Sequence, residues 1–317
     1  MKHNTHIYLA YKAIEFLYEG SSNIIDSKTG NAIIEKRKKA LRITAKELQR
    51  MLMHYIEFID EATWAPDDII NDKAIYHTFK LFTDQEYPGS RSFAKEVHFE
   101  KYYRASGGGG LPYKVDHLAR VISDMIKLRL YNDRFSMNQI MYQYLLISHY
   151  IVDANVPMHC DLRDDPPEAS DTTKPLNGNY FKESLHGNVE QLWDDAVTPV
   201  AVSEEIIKPS RTSDKPVKTE LSEAIIFDIF NPAHIGLIKP ELIAENDLME
   251  FMLKKCVSTK EKSLMLFPFD KPEEWGNESM NRVKAETRQI FAGAIADLIS
   301  VWLWIWMKNN KSKNTDL

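Results

Sequence analysis

Apolar residues recur at helical spacing through most of this chain, and that periodicity limits its possible folds more than any other feature. Residues 7–18 show it directly behind Asn4 and Thr5, two residue types suited to capping a helix start. Residues 34–58 form a longer amphipathic pattern, with Ala40, Leu41, Ile43, Leu48, Leu52, Tyr55 and Ile56 on the apolar side. Residues 115–130, 137–152 and 185–196 repeat the pattern, and 282–307 closes the chain. Alternating strand patterns are scarce and no internal repeat is visible. The expected fold class is all-α.

The breaks between these segments are loops. Residues 106–112, Ser-Gly-Gly-Gly-Gly-Leu-Pro, are expected to be irregular, because each glycine costs a helix ~1 kcal/mol relative to alanine. The segment lacks the Lys-Ser/Thr of a phosphate loop and reads as a flexible connection. Residues 161–182, with Pro166, Pro167 and Pro175, and residues 207–221 are polar excursions. No break separates two self-sufficient cores, so 1–307 is expected to be one all-α domain with long functional loops. Residues 308–317 form a charged tail expected to fray.

Composition narrows the function. A hydrophobic share of 44% and a charged share of 27% exclude a wholly disordered chain. Forty Lys+Arg against 46 Asp+Glu give a net charge of −6, so no broad basic surface for duplex nucleic acid is expected. A small pocket built on cations stays open, because bound metal ions dominate local charge. Cys160 and Cys256 are too few for a disulfide framework and favour a reducing compartment. The start, Met1 to His6, has no apolar core or small-residue cleavage site. A cytoplasmic location is therefore expected, with secretion as the alternative if a leader has been removed. The apolar stretch 290–307 is short for a membrane span, which takes ~20 residues. It carries Asp297, so it reads as a buried core helix; Trp302, Trp304 and Trp306 leave an interfacial role as the alternative.

The informative segment is Ser148-His149-Tyr150-Ile151-Val152-Asp153-Ala154-Asn155-Val156-Pro157-Met158-His159. His149 and Asp153 are four apart and share one helix face. Pro157 cannot continue that helix, so His159 lies on the turn beyond it and can point back at the same space. His186 and Glu190 make a second His-x-x-x-acid pair. One such pair is usually a surface ion pair. Two pairs plus a histidine behind a helix-ending proline point to Zn²⁺, whose ligands are imidazole and carboxylate.

These residues resemble the zinc-dependent phospholipase C / nuclease S1–P1 family. The spacing His149-x3-Asp153-x5-His159 followed by His186-x3-Glu190 is similar to that family's, as is the first helix beginning Thr5-His6-Ile7-Tyr8-Leu9-Ala10-Tyr11. Trp64-Ala65-Pro66-Asp67-Asp68 followed by His77-Thr78-Phe79 resembles its Asp…His pair. The resemblance implies a multi-helix phospholipase C/P1 nuclease-like fold holding two to three zinc ions. It would place Asp67, His77, His149 and Asp153 on one zinc, and His159, His186 and Glu190 on a second, more open one. Asp153 would bridge to a third, also held by His6 and the chain's N-terminal residue. Asp67, preferred to Asp68 for its place after Pro66, would be the catalytic general base. Secreted relatives begin with a Trp whose amine and carbonyl chelate zinc; here Met1 stands five residues before His6, and His3 is a competing donor.

Other candidates read as structural. His54, His98, His117 and His234 lack a carboxylate at useful spacing. Cys160 is expected to be buried rather than a ligand. Trp193 with Asp194 is expected to pack and solvate the far end of the second metal helix, and Met51, Met53, Met137 and Met141 to fill core gaps.

The function implied is a zinc phosphodiesterase of the phospholipase C type acting on a phospholipid or smaller phosphodiester, with transient membrane contact. The alternatives are a single-strand nuclease or 3′-nucleotidase, and a metal-stabilised non-catalytic binding protein. Tyr76, Phe79, Phe82, Tyr102 and Tyr103 are candidates for a substrate rim in either enzyme.

Overall fold

The computed structural model describes residues 1–72, 76–81, 109–132, 135–164, 180–206, 219–228, 236–268 and 271–309. Over these the architecture is helical, as expected: α1 (His3–Gly20), α2 (Glu35–His54), α3 (Ile59–Ala65), α4 (Leu111–Asn132), α5 (Met137–Asp153), α6 (Glu183–Ser203), α7 (Glu220–Asp228), α8 (Leu248–Leu266) and α9 (Asn277–Asn309). Two dipeptide strands, β1 (Ile25–Asp26) and β2 (Glu241–Leu242), pair in parallel and clip the α1–α2 connection to the segment before α8.

Helix α5 is the central support. The Gln139 side chain accepts from the Ser136 amide at 2.9 Å, half of a capping box that fixes its start. From Tyr144 to Asp153 every residue is buried, so a helix so enclosed can carry charged groups only if they are partnered. Helix α9 packs against α1, α4 and α5. Its apolar stretch is nine-tenths buried inside the protein. Trp302 Nε1 donates to the Tyr144 carbonyl at 2.9 Å and Trp304 Nε1 to Ala244 at 3.0 Å, which places both indoles inside. Asp297 is buried against Lys255 (3.0 Å) and Asn155 (3.0 Å). Helix α1 meets α9 closely at Gly20, where a Cβ would lie 3.0 Å from Ile299 Cδ1.

Several boundaries differ from the sequence reading. Helix α1 starts at His3, and its first turn is held by a distant acid: Asp194 accepts from the Thr5 amide at 3.2 Å and from Asn4 Nδ2 at 3.1 Å. Asp194 therefore anchors the helix that carries His6 rather than solvating α6. The long pattern 34–58 stops at His54 and continues as a 3₁₀ turn, and Ile43, expected on the apolar side, is 65% exposed. Met53 is exposed too, not a core residue. Helix α4 begins at Leu111, inside the expected loop, with Pro112 in the first turn where its missing N–H costs nothing. Lys308 and Asn309 belong to α9; residues 310–317 lie outside the described residues.

Helix α8 was not expected, because polar residues interrupt the C-terminal half of its buried face, which otherwise carries Leu248, Phe251, Met252, Leu253, Cys256 and Leu266. Thr259 Oγ1 donates to the Ala154 carbonyl (2.7 Å), Ser263 Oγ to Asp161 (2.6 Å), and Lys260 pairs with Asp161 at 2.6 Å. Those partners lie on the turn behind α5, so α8 clamps the segment that bears His159.

Candidate metal centre

Five stretches of chain deliver the site. Helix α5 supplies His149 and Asp153 one turn apart. The peptide then turns, with Val156 N on the Asp153 carbonyl (3.0 Å) and His159 N on the Val156 carbonyl (3.0 Å), and Pro157 starts a 3₁₀ turn that aims His159 back. Helix α6 supplies His186 and Glu190. Helix α1 supplies His6 and the chain start. The widened turn Pro66–Ile70 after α3, closed by Asn71 in the left-handed region, supplies Asp67, and His77 follows it.

Every expected ligand is brought together. His159, His186 and Glu190 form one group of converging ligand atoms, Asp67, His77 and His149 a second, and His6, His149 and Asp153 a third. The first matches the expected open site. The other two share His149, where Asp153 alone was expected to bridge; Asp153 Oδ2 still lies 2.8 Å from His77 Nδ1 and 3.3 Å from His149 Nε2. Asp153, 1% exposed, also meets His6 Nε2 (3.5 Å), His159 Nδ1 (3.4 Å) and the Met1 amine (3.2 Å) through Oδ1. Burial alone would raise its pKa, but the Met1 ammonium and the surrounding imidazoles outweigh burial and hold it well below the carboxylate range.

The chain start converges on the same point. The Met1 amine lies 2.8 Å from Glu190 Oε1, and the Met1 carbonyl 3.1 Å from His6 Nε2. Burial opposes charging that amine, yet Glu190 and Asp153 raise its pKa to about 10. His3 is elsewhere, stacked on Trp64 at 4.7 Å and bonded to Asp60 at 2.9 Å.

Tautomers decide what this convergence means. His149 Nδ1 lies 2.7 Å from the Thr63 carbonyl, which can only accept, so Nδ1 carries the proton. His77 Nε2 donates to Asp72 at 2.9 Å in the same way. In the neutral rings, His149 Nε2 and His77 Nδ1 then present two lone pairs to each other at 3.0 Å, with an Asp153 oxygen beside them. Such a cluster is stable only around a cation, a proton or a metal. His6 and His159 repeat the theme: burial is the main reason that both have lowered pKa values, His159 down to about 4, and the Nδ1 atoms of both are buried without a hydrogen bond. A donor set of imidazole and carboxylate fits Zn²⁺, which would displace the protons that Asp153 and Asp72 favour on His77.

Outside this ring of donors stand two Lys–Asp–His relays that the sequence reading missed. Lys114 Nζ meets Asp72 at 2.8 Å, and Asp72 receives His77 and the Tyr150 hydroxyl (3.0 Å). Lys80 Nζ meets Asp164 at 2.8 Å, and Asp164 receives His186 Nδ1 at 2.9 Å. Each carboxylate fixes which nitrogen of its histidine faces inward, as carboxylate–histidine pairs do behind metal ligands. Burial disfavours charge on His186, but Asp164 and Glu190 outweigh it and hold its pKa up at about 9. Asp72 and Asp164 carry no motif of their own; their short distances along the chain from His77 and His159 were the only available signal.

The remaining candidates separate cleanly. Cys160 is buried and its Sγ points to the Ala154 carbonyl at 3.8 Å, outside all three groups. Phe79 is 1% exposed and belongs to the core, so it offers no rim surface. Trp193 is buried, with Nε1 on Thr287 at 2.9 Å. His54 and His117 are exposed, whereas His98, His234, Phe82, Tyr102 and Tyr103 lie outside the described residues. No protein-family profile, curated protein or solved structure matches this chain.

Proposed function

We propose that this chain is a zinc-dependent phosphodiesterase of the phospholipase C type, with a single-strand nuclease on the same metals as the second reading. What supports it is the convergence of imidazole and carboxylate donors from five segments into three adjoining groups. A structural zinc needs four ligands and would leave half of this eight-residue donor set unexplained. His159, His186 and Glu190 would hold one ion, Asp67, His77 and His149 a second, and His6, Asp153 and the Met1 amine a third. Bound there, zinc would lower the pKa of a coordinated water toward ~7 and neutralise charge on a phosphoryl group.

The protein's own groups do the rest. Asp67 stands back from the cluster, 3.9 Å from His77 Nδ1 and 4.0 Å from His149 Nε2, and is more exposed than Asp153. It is the carboxylate best placed to take a proton from an attacking water. Asp153, fully enclosed, holds charge and geometry. Asp72 and Asp164 accept from the outer nitrogens of His77 and His186 and so turn the inner nitrogens toward the ions. Ile69 and Ile70, exposed two and three residues beyond Asp67 in the chain, would offer apolar surface to acyl chains.

The test is metal analysis of purified protein followed by hydrolysis of bis-p-nitrophenyl phosphate, phosphatidylcholine and single-stranded DNA. Two to three zinc ions and chelator-sensitive release of a phosphorylated head group are expected. At most one metal after zinc repletion refutes the multi-zinc reading, and preference for DNA moves the protein to the nuclease reading.

A further inference from the structure

Helix α2 has a character unlike the rest of the molecule. Seven basic residues, Lys36, Arg37, Lys38, Lys39, Arg42, Lys46 and Arg50, stand on it against two acidic ones, Glu35 and Glu47, in a chain of net charge −6. They are not scattered. Lys36, Lys39, Ile43, Lys46, Arg50 and Met53 follow at alternating spacings of three and four, and every one is exposed. The opposite stripe, Leu41, Thr44, Ala45, Leu48 and Leu52, is buried against the body of the protein. Of the two acids, Glu35 is taken up by Lys38 at 2.9 Å. Lys36, Lys39 and Arg50 meet no carboxylate among the described residues.

Two large apolar side chains interrupt this basic face: Ile43, 65% exposed, in its middle, and Ile34, 72% exposed, just before its first turn. A solvated charged face has no use for them. Basic side chains interleaved with exposed aliphatic ones are the pattern of a helix lying at a lipid–water interface, where cations meet lipid phosphates and the apolar groups enter the headgroup region. Single-stranded nucleic acid would require aromatic platforms. Tyr18, the aromatic that lines the same groove, is covered by the Arg42 guanidinium at 4.6 Å and bonded to it through its hydroxyl at 2.8 Å.

We propose that the outer face of α2 docks this protein on anionic phospholipid bilayers. The surface stands apart from the metal ligands, so the proposal does not depend on the phosphodiesterase reading and its test is binding alone. Full-length protein is sedimented with vesicles of phosphatidylcholine, alone or mixed with a minority of phosphatidylglycerol. Binding to the mixed vesicles only, weakened at least ~10-fold by high salt, is the expected result. Replacing Lys36, Lys39, Lys46 and Arg50 together by Gln keeps helix propensity and should weaken partitioning at least ~100-fold. Ile43→Ser alone should weaken it several-fold while leaving the circular dichroism unchanged. Equal binding to both vesicles, no binding to either, a quadruple variant that binds like wild type, or tighter binding to single-stranded DNA than to anionic vesicles would each overturn the proposal.

Discussion

Replacing Asp164 by Asn removes a charge behind the candidate metal centre while leaving an oxygen for His186 Nδ1 to bond. In the native protein Asp164 Oδ2 sits 2.9 Å from that nitrogen and 2.8 Å from Lys80 Nζ. His186 rises from an ordinary 6.5 to about 9, despite burial, because Asp164 and Glu190 favour its cationic form. That displacement corresponds to ~3 kcal/mol of preference for positive charge, or ~2 kcal/mol after discounting for the ring's partial exposure. Asp164 is one of two carboxylates responsible, so its loss should remove about 1 kcal/mol or a little more. A metal on the inner nitrogen feels the same field as a proton, and loss of such an outer partner typically weakens metal affinity ~10–100-fold. The two approaches agree at their lower end, about 1.4 kcal/mol or tenfold.

The assay is competition with a chromophoric zinc chelator, reading the affinity of the weakest site in wild type, Asp164→Asn and Asp164→Leu. The leucine variant loses the oxygen as well and should bind zinc more weakly than the asparagine variant. A second readout is independent of metal. In metal-free protein His186 has a folded pKa above its unfolded value. Its stabilising contribution is therefore complete below pH 6.5 and is lost as pH rises through about 9. Asp164→Asn should flatten that decline. Zinc affinity within twofold of wild type, together with an unchanged pH slope over the same window, would show that Asp164 does not support His186.

Two further predictions test the frame and the chain start. Asp161 is buried with Lys260, Arg163 and Ser263; burial would raise its pKa, but the two cations bring it down to about 2. Its folded pKa lies below the ordinary 3.8, so its contribution is complete above pH 3.8 and is lost as pH falls toward 2. Asp161→Asn leaves two buried cations uncompensated and should cost ~3–5 kcal/mol in urea unfolding at neutral pH; a loss under 1 kcal/mol would contradict the clamp between α8 and the His159 turn. Extending the protein by a few residues before Met1 should lower zinc stoichiometry by one without unfolding, whereas His3→Ala should not, because His3 bonds Asp60 outside the cluster. The reverse pattern, measured by metal analysis, would assign the donor to His3.

Helical class and the convergence of the candidate donors were legible because both depend on short spacings. A 3.6-residue period exposes an amphipathic helix, and His149 with Asp153, or His186 with Glu190, are neighbours on any helix that contains them. The boundaries were less legible where tertiary partners replaced local signals. Asp194, not Asn4 or Thr5, secures the start of α1. Helix α8 turns Thr259, Lys260 and Ser263 inward onto Asp161 and the Ala154 carbonyl, which interrupts its apolar stripe in the second half.

Helical period and donor chemistry are local properties, so the order of residues alone carries the helical class and the set of candidate donors. Long-range packing sets the rest: Asp72 and Asp164 stand behind His77 and His186, the Met1 amine rather than His3 reaches Asp153, and Ile43 faces out among lysines. Net charge hid that last feature: a total of −6 averages over the chain, whereas a surface is made by the few side chains that folding turns to one side.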